Sequence, residues 1–381
     1  MEALQPGVST RQSVKWKELD LDALRHNYGM VQSQVGGKHI IASVKANAYG
    51  HGIVPVVRAL DAMGVYRVAT ASLADVRAIR AAGLRTQILM FACTPPEYVA
   101  DLLPLDVAVT VHNSAVALAL SRSVKSGICV YVKIDSGLGR LGVPIAEAAE
   151  FVSSVAALPN IRLEGLYTHL PFSHAVGREW ARERTADFRR LHAELTRRGI
   201  HLPITQAVAS AGIAANVADT CTAVCCGHLL YGGLSLVRPD VGDLSGYRPV
   251  LKAIKCRLID LGHRPAGKPI GMNGTLIPAS DLTVGVVPFG LADGYHRPIS
   301  GRTAAMMIRQ HRVRVLGVSL EYTLLDLSEV HDAALGEEVV VLGRSEVDEI
   351  ALQEIADWQG MPVLDTLISF DKPMPTYVDP A

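Results

Sequence analysis

The chain carries no excess of charge, no long apolar run and no paired-cysteine motif, and each absence removes a class of function. Its 37 basic residues are matched by 37 acidic ones, with no long block of either sign. A nucleic-acid or membrane-surface partner is therefore not expected. No stretch of 18 apolar residues occurs, so nothing is expected to span a bilayer. Residues 1–13 are polar and hold no apolar signal-peptide core. The six cysteines (Cys93, Cys129, Cys221, Cys225, Cys226 and Cys256) include no C-x-x-C spacing. Several lie inside apolar runs, where free cysteine behaves as a small core residue. A reduced, cytoplasmic setting without a metal centre is the expectation.

What is present is apolar: 49% of the 381 residues are hydrophobic and 19% charged. That length accommodates two domains, or one barrel plus an appendage. Eight short apolar runs recur at residues 40–44, 66–70, 87–91, 107–111, 129–133, 163–167, 204–208 and 223–226. Each but the last is followed by a helix-like or linking stretch. Two helices stand out, residues 72–82 with Asp75 in the first turn, and the charged residues 179–198. Near-continuous apolar strands alternating with helices predict parallel strands covered on both faces. Eight of them predict a closed (β/α)8 barrel of the TIM type. The pattern changes near Leu244. From Tyr247 onward, glycines, prolines and short alternating runs at 254–258, 282–287, 313–316 and 338–342 predict a small, mainly antiparallel β domain. The expected division is residues 14–244 for the barrel and 245–381 for the β domain, with residues 14–24 reading as a strand that runs into a helix.

The residues that carry chemistry sit at the ends of the barrel strands. Lys45 follows the first strand in Ser43-Val44-Lys45-Ala46-Asn47-Ala48-Tyr49-Gly50-His51-Gly52. A lysine at a strand's C-terminal edge is either a solvated charge or a partly desolvated amine, freed for carbonyl attack by a lowered pKa. Strand five ends in Lys133-Ile134-Asp135-Ser136-Gly137-Leu138-Gly139-Arg140-Leu141-Gly142. Its glycines allow a tight turn that leaves Arg140 beside the site, where an arginine fork matches a carboxylate or a phenolic oxygen. Thr168-His169 closes strand six. After strand seven, Ser210 in Ala209-Ser210-Ala211-Gly212 is placed to donate its hydroxyl to a phosphate. Strand eight runs into Cys226-Gly227-His228-Leu229-Leu230-Tyr231-Gly232-Gly233, and phosphate after strands seven and eight is the usual barrel arrangement.

The contiguous string from Val44 to Gly52 resembles the pyridoxal-phosphate lysine motif of alanine racemases, and the resemblance runs over nearly the full length. It implies a fold type III enzyme of amino-acid metabolism with pyridoxal 5'-phosphate as cofactor. By that resemblance Lys45 is the Schiff-base lysine and the base at Cα, and Tyr49 reaches toward the phosphate. Arg140 meets the substrate carboxylate or the cofactor's phenolic oxygen, held by Lys133, which the family often carries as a carbamate. His169 stacks on the pyridine ring, while Ser210 and the N–H groups of Gly227 and His228 bind phosphate. Phe289-Gly290-Leu291-Ala292-Asp293-Gly294-Tyr295 and Gly317-Val318-Ser319-Leu320-Glu321-Tyr322-Thr323-Leu324-Leu325-Asp326-Leu327 align with two further family signatures. The resemblance makes Leu291, Tyr295 and Leu320 substrate-side residues, gives the opening strand (14–20) to the β domain, and implies a homodimer with shared active sites acting on a small amino acid.

Four departures touch chemistry. Leu291 stands where the family has its second acid/base, a tyrosine, and leucine has no proton to give. Tyr295, His296 and Tyr322 are candidate substitutes. Cys225 stands where an arginine faces the pyridine nitrogen. A thiol is a weak donor that does not impose the same protonation state, and Cys225 is equally read as a small barrel-core residue. Phe370 replaces a phosphate-binding tyrosine, and Leu320 a methionine. Three classes remain: a racemase or epimerase using Lys45 with a relocated second acid, a single-base pyridoxal-phosphate lyase (aldolase, elimination or, less favoured, decarboxylation), and a non-catalytic pyridoxal-phosphate binding protein.

Overall fold

The computed structural model of the chain describes residues 13–91, 94–125, 127–233, 242–271, 274, 276–372, 374 and 376–378. Cys93 and residues 1–12 lie outside the described residues. Two compact units are present. One comprises Asp22–Ala48 and Ile53–Arg248, the other Met1–Leu21, Tyr49–Gly52 and Pro249–Ala381. The division falls between Arg248 and Pro249 rather than at 244/245. Its cause is local: Asn27 binds both the carbonyl (2.7 Å) and the N–H (2.9 Å) of Arg248, and a His26 ring nitrogen lies 2.9 Å from the Gly246 carbonyl. These bonds tie residues 246–248 to the helix Leu21–Val35.

The first unit is a closed barrel of eight parallel strands: His39–Ser43, Arg67–Thr70, Ile88–Met90, Val107–Val111, Ile128–Asp135, Ile161–Tyr167, Ile204–Ala209 and Ala223–Cys226. Each pairs with the next in sequence, and the eighth returns to the first, with Val224 opposite Ile40. The interior is filled rather than hollow. Ile41, Ala69, Leu89, Ala108, Tyr131, Tyr167, Ile204 and Ala223, one from each strand, form a single buried cluster, the packing expected of such a barrel. Gly165 is required there, because a Cβ at that position would overlap the Tyr131 ring.

Toward the strand starts the interior turns polar. Glu164 accepts hydrogen bonds from Tyr66 (3.0 Å), Tyr131 (2.8 Å), Arg67 (2.8 Å), Arg162 (2.7 Å) and the Cys129 thiol (2.9 Å). Arg67 also lies over the Tyr131 ring at 5.1 Å. Burial works to raise the Glu164 pKa, but the Cys129 bond, the Arg67 charge and the bonds from Tyr131 and Arg162 outweigh it and hold the group at about 2. The neighbouring Cys129 thiol is pushed up to about 11, by burial first and then by Glu164.

Both anticipated helices form, one of them with a different start. Leu73–Ala81 is capped by Ser72, whose side chain accepts from the Asp75 N–H. The charged helix begins earlier than residue 179, spanning Ala175–Arg197. The His174 ring nitrogen caps it by accepting from Gly177 N–H at 3.1 Å, a role outside the usual Ser, Thr, Asp and Asn set.

In the second unit the sheet order is Asp260–Arg264, Leu282–Val287, Thr323–Asp326, His311–Val318, Ala305–Ile308, Glu338–Arg344, Leu251–Arg257, Lys15–Leu19 and Thr376–Val378. Neighbours are antiparallel apart from the last pair, which is parallel. The opening strand Lys15–Leu19 thus has partners on both edges, and Trp16 and Lys17 are both buried. Among the described residues no helix is long and apolar enough to cross a membrane, and no group of three His, Cys, Asp or Glu is placed to hold a metal ion.

The Glu164 cluster sets an acid dependence. A carboxyl held below its unfolded value stabilises the fold above that unfolded value, and the contribution fades as pH falls through the folded one. Glu164 should therefore stabilise fully above about pH 4.5, with the loss complete near pH 2. Glu164→Gln should lower the unfolding free energy at pH 7 by about 3–5 kcal/mol, the range for breaking one side of a buried ion pair. Urea titrations of both proteins at pH 7 and pH 3 should show the gap shrinking at the lower pH; an equal gap at both would contradict the assignment.

Candidate active site

Lys45 begins where the first barrel strand stops, and the backbone beyond it is unusual. Ala46, Asn47, Ala48 and Tyr49 all have positive φ, at 52°, 51°, 55° and 55°. Left-handed backbone costs an L-residue about 1–2 kcal/mol, and such strain persists only where surroundings over-determine it. Here the Val44 N–H donates to the Ala69 carbonyl of the next strand, and the Ala48 N–H returns to the Val44 carbonyl, each at 2.9 Å. Asn47, a residue type that tolerates this region, accepts the Ile53 N–H at 2.7 Å and so caps the start of the helix Ile53–Ala62. The glycines of this string, Gly50 and Gly52, also have positive φ, at 79° and 98°, but the left-handed path begins with four non-glycine residues.

The amine at its head is perturbed. Burial pulls the Lys45 pKa below the ordinary lysine value, Cys225 works against that shift, and the Arg140 charge adds to it. Lys133, 7% exposed, is brought down to about 8 by burial and Arg140, against Asp135 and Cys225. Its Nζ lies 5.5 Å over the Tyr167 ring. The alternation of a strand explains why these groups meet. Tyr131 and Ala223 belong to the inner cluster, so Lys133 and Cys225, two residues on, face the same interior one layer nearer the C-terminal mouth.

Arg140 is delivered by a loop that folds back on its own strand. The Asp135 carboxylate accepts the N–H groups of Gly137 and Leu138 at 2.9 Å and of Gly139 at 3.2 Å. Val143–Pro144 then pairs alongside Ile134 and Asp135. At Gly142, φ is 122°, and a Cβ would sit 2.6 Å from the Asp135 nitrogen. This leaves Arg140 exposed.

His169 extends the sixth strand, whose ladder continues through Thr168 N–H to the Gln206 carbonyl at 2.9 Å. Its pKa falls to about 3 through burial and the charges of Lys45, Arg140, Lys133 and His228. His228 falls to about 4 through burial and Lys45. Both imidazoles are therefore neutral near pH 7. Cys225 is pushed up to about 11 by burial, with Lys45 and Lys133 opposing, so it too is uncharged. Ser210 and Gly227 stand together, the Gly227 N–H donating to Ser210 Oγ at 3.0 Å, with Cys226 Sγ 3.7 Å from the same oxygen.

The barrel thus brings Lys45, Lys133, Arg140, His169, Cys225 and His228 into one electrostatic neighbourhood, with Ser210 and Gly227 paired nearby. The remaining candidates lie in the other unit. Tyr49, 4% exposed, belongs to its Tyr49–Gly52 segment. Leu291 is half-buried at the head of a 3-10 turn, Leu291–Asp293. The Leu291 and Ala292 N–H groups donate to the Ser319 and Leu320 carbonyls at 3.0 and 2.7 Å. Leu320 and Tyr322 are exposed, at 66% and 46%. Tyr295 requires correction. It is fully buried against Phe289, with its hydroxyl pKa raised by burial, so it is a core residue of this unit and neither a substrate contact nor an acid. The Phe370 ring is likewise buried near Phe289.

The donor set suits pyridoxal 5'-phosphate: a depressed-pKa amine for the aldehyde, and a hydroxyl beside backbone N–H groups and cationic side chains for the phosphate. In cofactor-free protein, reductive methylation with formaldehyde should modify Lys45 and Lys133 at lower pH than exposed lysines, because a lowered pKa frees the neutral amine earlier. Lys133 should reach half its maximal rate near pH 8. Peptide mass spectra in which both lag with the exposed lysines would refute the site electrostatics.

Family profiles match along both units: alanine racemase, N-terminal domain, over residues 19–235, and alanine racemase, C-terminal domain, over residues 252–378. The alanine racemase of Syntrophobacter fumaroxidans is 33% identical over 353 residues, covering 91% of this chain and 92% of the relative. That of Desulfovibrio desulfuricans is 34% identical over 344 residues, covering 88% and 91%. Among solved structures, alanine racemase from Clostridium difficile 630 superposes with a TM-score of 0.85 at 26% identity, over 94% of this chain and 93% of that one. The Bacillus anthracis enzyme with bound L-Ala-P gives 0.83 at 26% identity, with the same coverage. With profiles along both units and relatives above 30% identity over most of its length, this chain belongs to the alanine racemase family, whose members are pyridoxal 5'-phosphate enzymes.

Proposed function

We propose that the protein is a pyridoxal-phosphate enzyme that moves the Cα proton of a small amino acid, with Lys45 as Schiff-base lysine and base. The observation that carries this is the Lys45 amine itself, half-buried at a barrel-strand end, lowered in pKa and fixed by a strained turn. The cofactor, when bound, supplies the electron sink for charge left at Cα. The protein's own residues then divide the work. Lys45 takes the proton at its Nζ. Arg140, always charged, orients a carboxylate by its planar fork. His169 packs as a neutral ring. Ser210 Oγ and the N–H groups of Gly227 and His228, all in the barrel unit, hold the phosphate. Cys225 is a neutral thiol and would supply no positive charge to the cofactor's ring.

Leu291 favours a second reading, a single-base lyase. One proton-moving group suffices where a leaving group replaces the second transfer, and Leu291 and the buried Tyr295 both fail as that second group. Tyr322 is exposed on the segment whose Ser319 and Leu320 carbonyls accept from the Leu291 turn, and it is one candidate hydroxyl there. We further propose a homodimer in which the edge bearing Leu291, Leu320 and Tyr322 completes the partner's site. Its support is the exposure of two large apolar side chains on that edge, and an active species sedimenting as a monomer would refute it.

The deciding experiment incubates the loaded protein with single L- and D-amino acids in D2O and follows chiral products, aldehydes, ammonia and CO2 together. Racemisation or Cα exchange supports the first reading, and aldehyde or ammonia release the second. Lys45→Ala should abolish either; activity and chromophore surviving in that variant would end the proposal. Leu291→Tyr should raise alanine racemisation by about 10²–10⁴-fold, the usual worth of one positioned acid/base group. Efficient racemisation by the unmodified protein, lost in Tyr322→Phe, would instead make Tyr322 the second acid.

A further inference from the structure

We propose that Lys17 is a positioning residue for the cofactor lysine: its buried ammonium ties the carbonyl of Gly50, the residue after the left-handed turn, to the carbonyl of Phe370, and so fixes where that turn ends. This rests on the reading of Lys45 as the Schiff-base lysine.

Lys17 lies in the opening strand and is 3% exposed. Its Nζ donates to Gly50 O at 3.0 Å and to Phe370 O at 2.9 Å. Burial pulls the ammonium below its ordinary pKa, while the Asp371 carboxylate holds it up. A buried cation is expensive unless it is paired, and an apolar side chain of similar volume is often the more stable choice. What the ammonium adds is direction, because it fixes two carbonyls from segments far apart in sequence.

Gly50 is confined from its other side as well. Its φ is 79°, and a Cβ there would lie 3.3 Å from the Leu367 carbonyl, in the helix Val363–Ser369. The turn before it consists of four residues in a costly conformation, which persists only if both ends are held. Its start is bonded to the barrel through Val44 N–H and Ala69 O. Its end is bonded through Lys17. Losing that tether releases residues 46–49 toward ordinary backbone values and lets the Lys45 amine wander.

The test compares the full-length protein with Lys17→Met by amide hydrogen exchange, by visible circular dichroism with pyridoxal 5'-phosphate bound, and by borohydride trapping. Exchange within residues 46–52 should rise about tenfold or more, as expected for losing bonds from a charged donor, while the barrel strands keep their protection. The visible dichroism should fall, a signature that a loss of β-unit stability alone would not move, and trapping should still mark Lys45. Unchanged exchange and dichroism in a folded Lys17→Met overturns the proposal. Trapping at another residue in the unmodified protein overturns the cofactor reading and this proposal with it. Where Lys17→Met does not fold, Asp371→Asn removes only the facing charge. It should shift both readouts the same way by less, and values equal to the unmodified protein overturn the proposal.

Discussion

Between Val44 and Gly50 the chain turns against the hand that L-residues prefer, and the placement of the Lys45 amine depends on its doing so. A right-handed continuation would carry Lys45 into an ordinary helix start, with its side chain swept back over the preceding turn. The left-handed path ends the strand abruptly and leaves the amine at the barrel mouth. Of the residues in the turn only Asn47 tolerates that path readily, and alanine is the best former of right-handed helix. The conformation is imposed from outside, by the Ala69 carbonyl of the adjacent strand, by the Asn47 cap on the following helix, and by the packing of Gly50 and the Lys17 bond to its carbonyl.

Electrostatics then divide the barrel into two ends of different character. Toward the strand starts, Glu164 is surrounded by donors and balances Arg67 and Arg162. At the C-terminal mouth cationic side chains gather instead. Lys45, Lys133 and Arg140 share a neighbourhood with Asp135, whose carboxylate is already engaged by three backbone N–H groups. Two histidines that would add charge are kept neutral by burial first and by these cations second, at about 3 and about 4. Burial and the Arg140 charge together lower the pKa of both Lys45 and Lys133.

Much of this was legible in sequence because it is periodic. Eight apolar runs gave eight barrel strands, with 107–111 and 223–226 falling on the observed limits. Strand ends located Lys45, Arg140, His169 and Ser210, since position at a strand end is itself a pattern. What was not legible depends on tertiary contact. The Ala-Asn-Ala string carries no sign of a left-handed turn. His174 does not look like a cap until Gly177 is seen beneath it. Tyr295 reads as a reactive phenol beside Leu291, but the turn at 291–293 rotates it into the core. Lys17, one lysine in a short strand, looks like a solvent-facing residue because alternation assumes one covered face. The strand is covered on both.

Gly165 shows how a residue without functional groups becomes intolerant of change. The Tyr131 ring occupies the space of any Cβ there, and the Tyr131 hydroxyl is one of the donors on Glu164. A methyl group at 165 would displace the ring, and the displaced ring would withdraw its bond from a buried carboxylate. Genetic variation at a position with no side chain would thus be felt as a charge defect several atoms away. Sequence tolerance along this barrel should follow the wiring of its polar floor more closely than the polarity of the residue replaced.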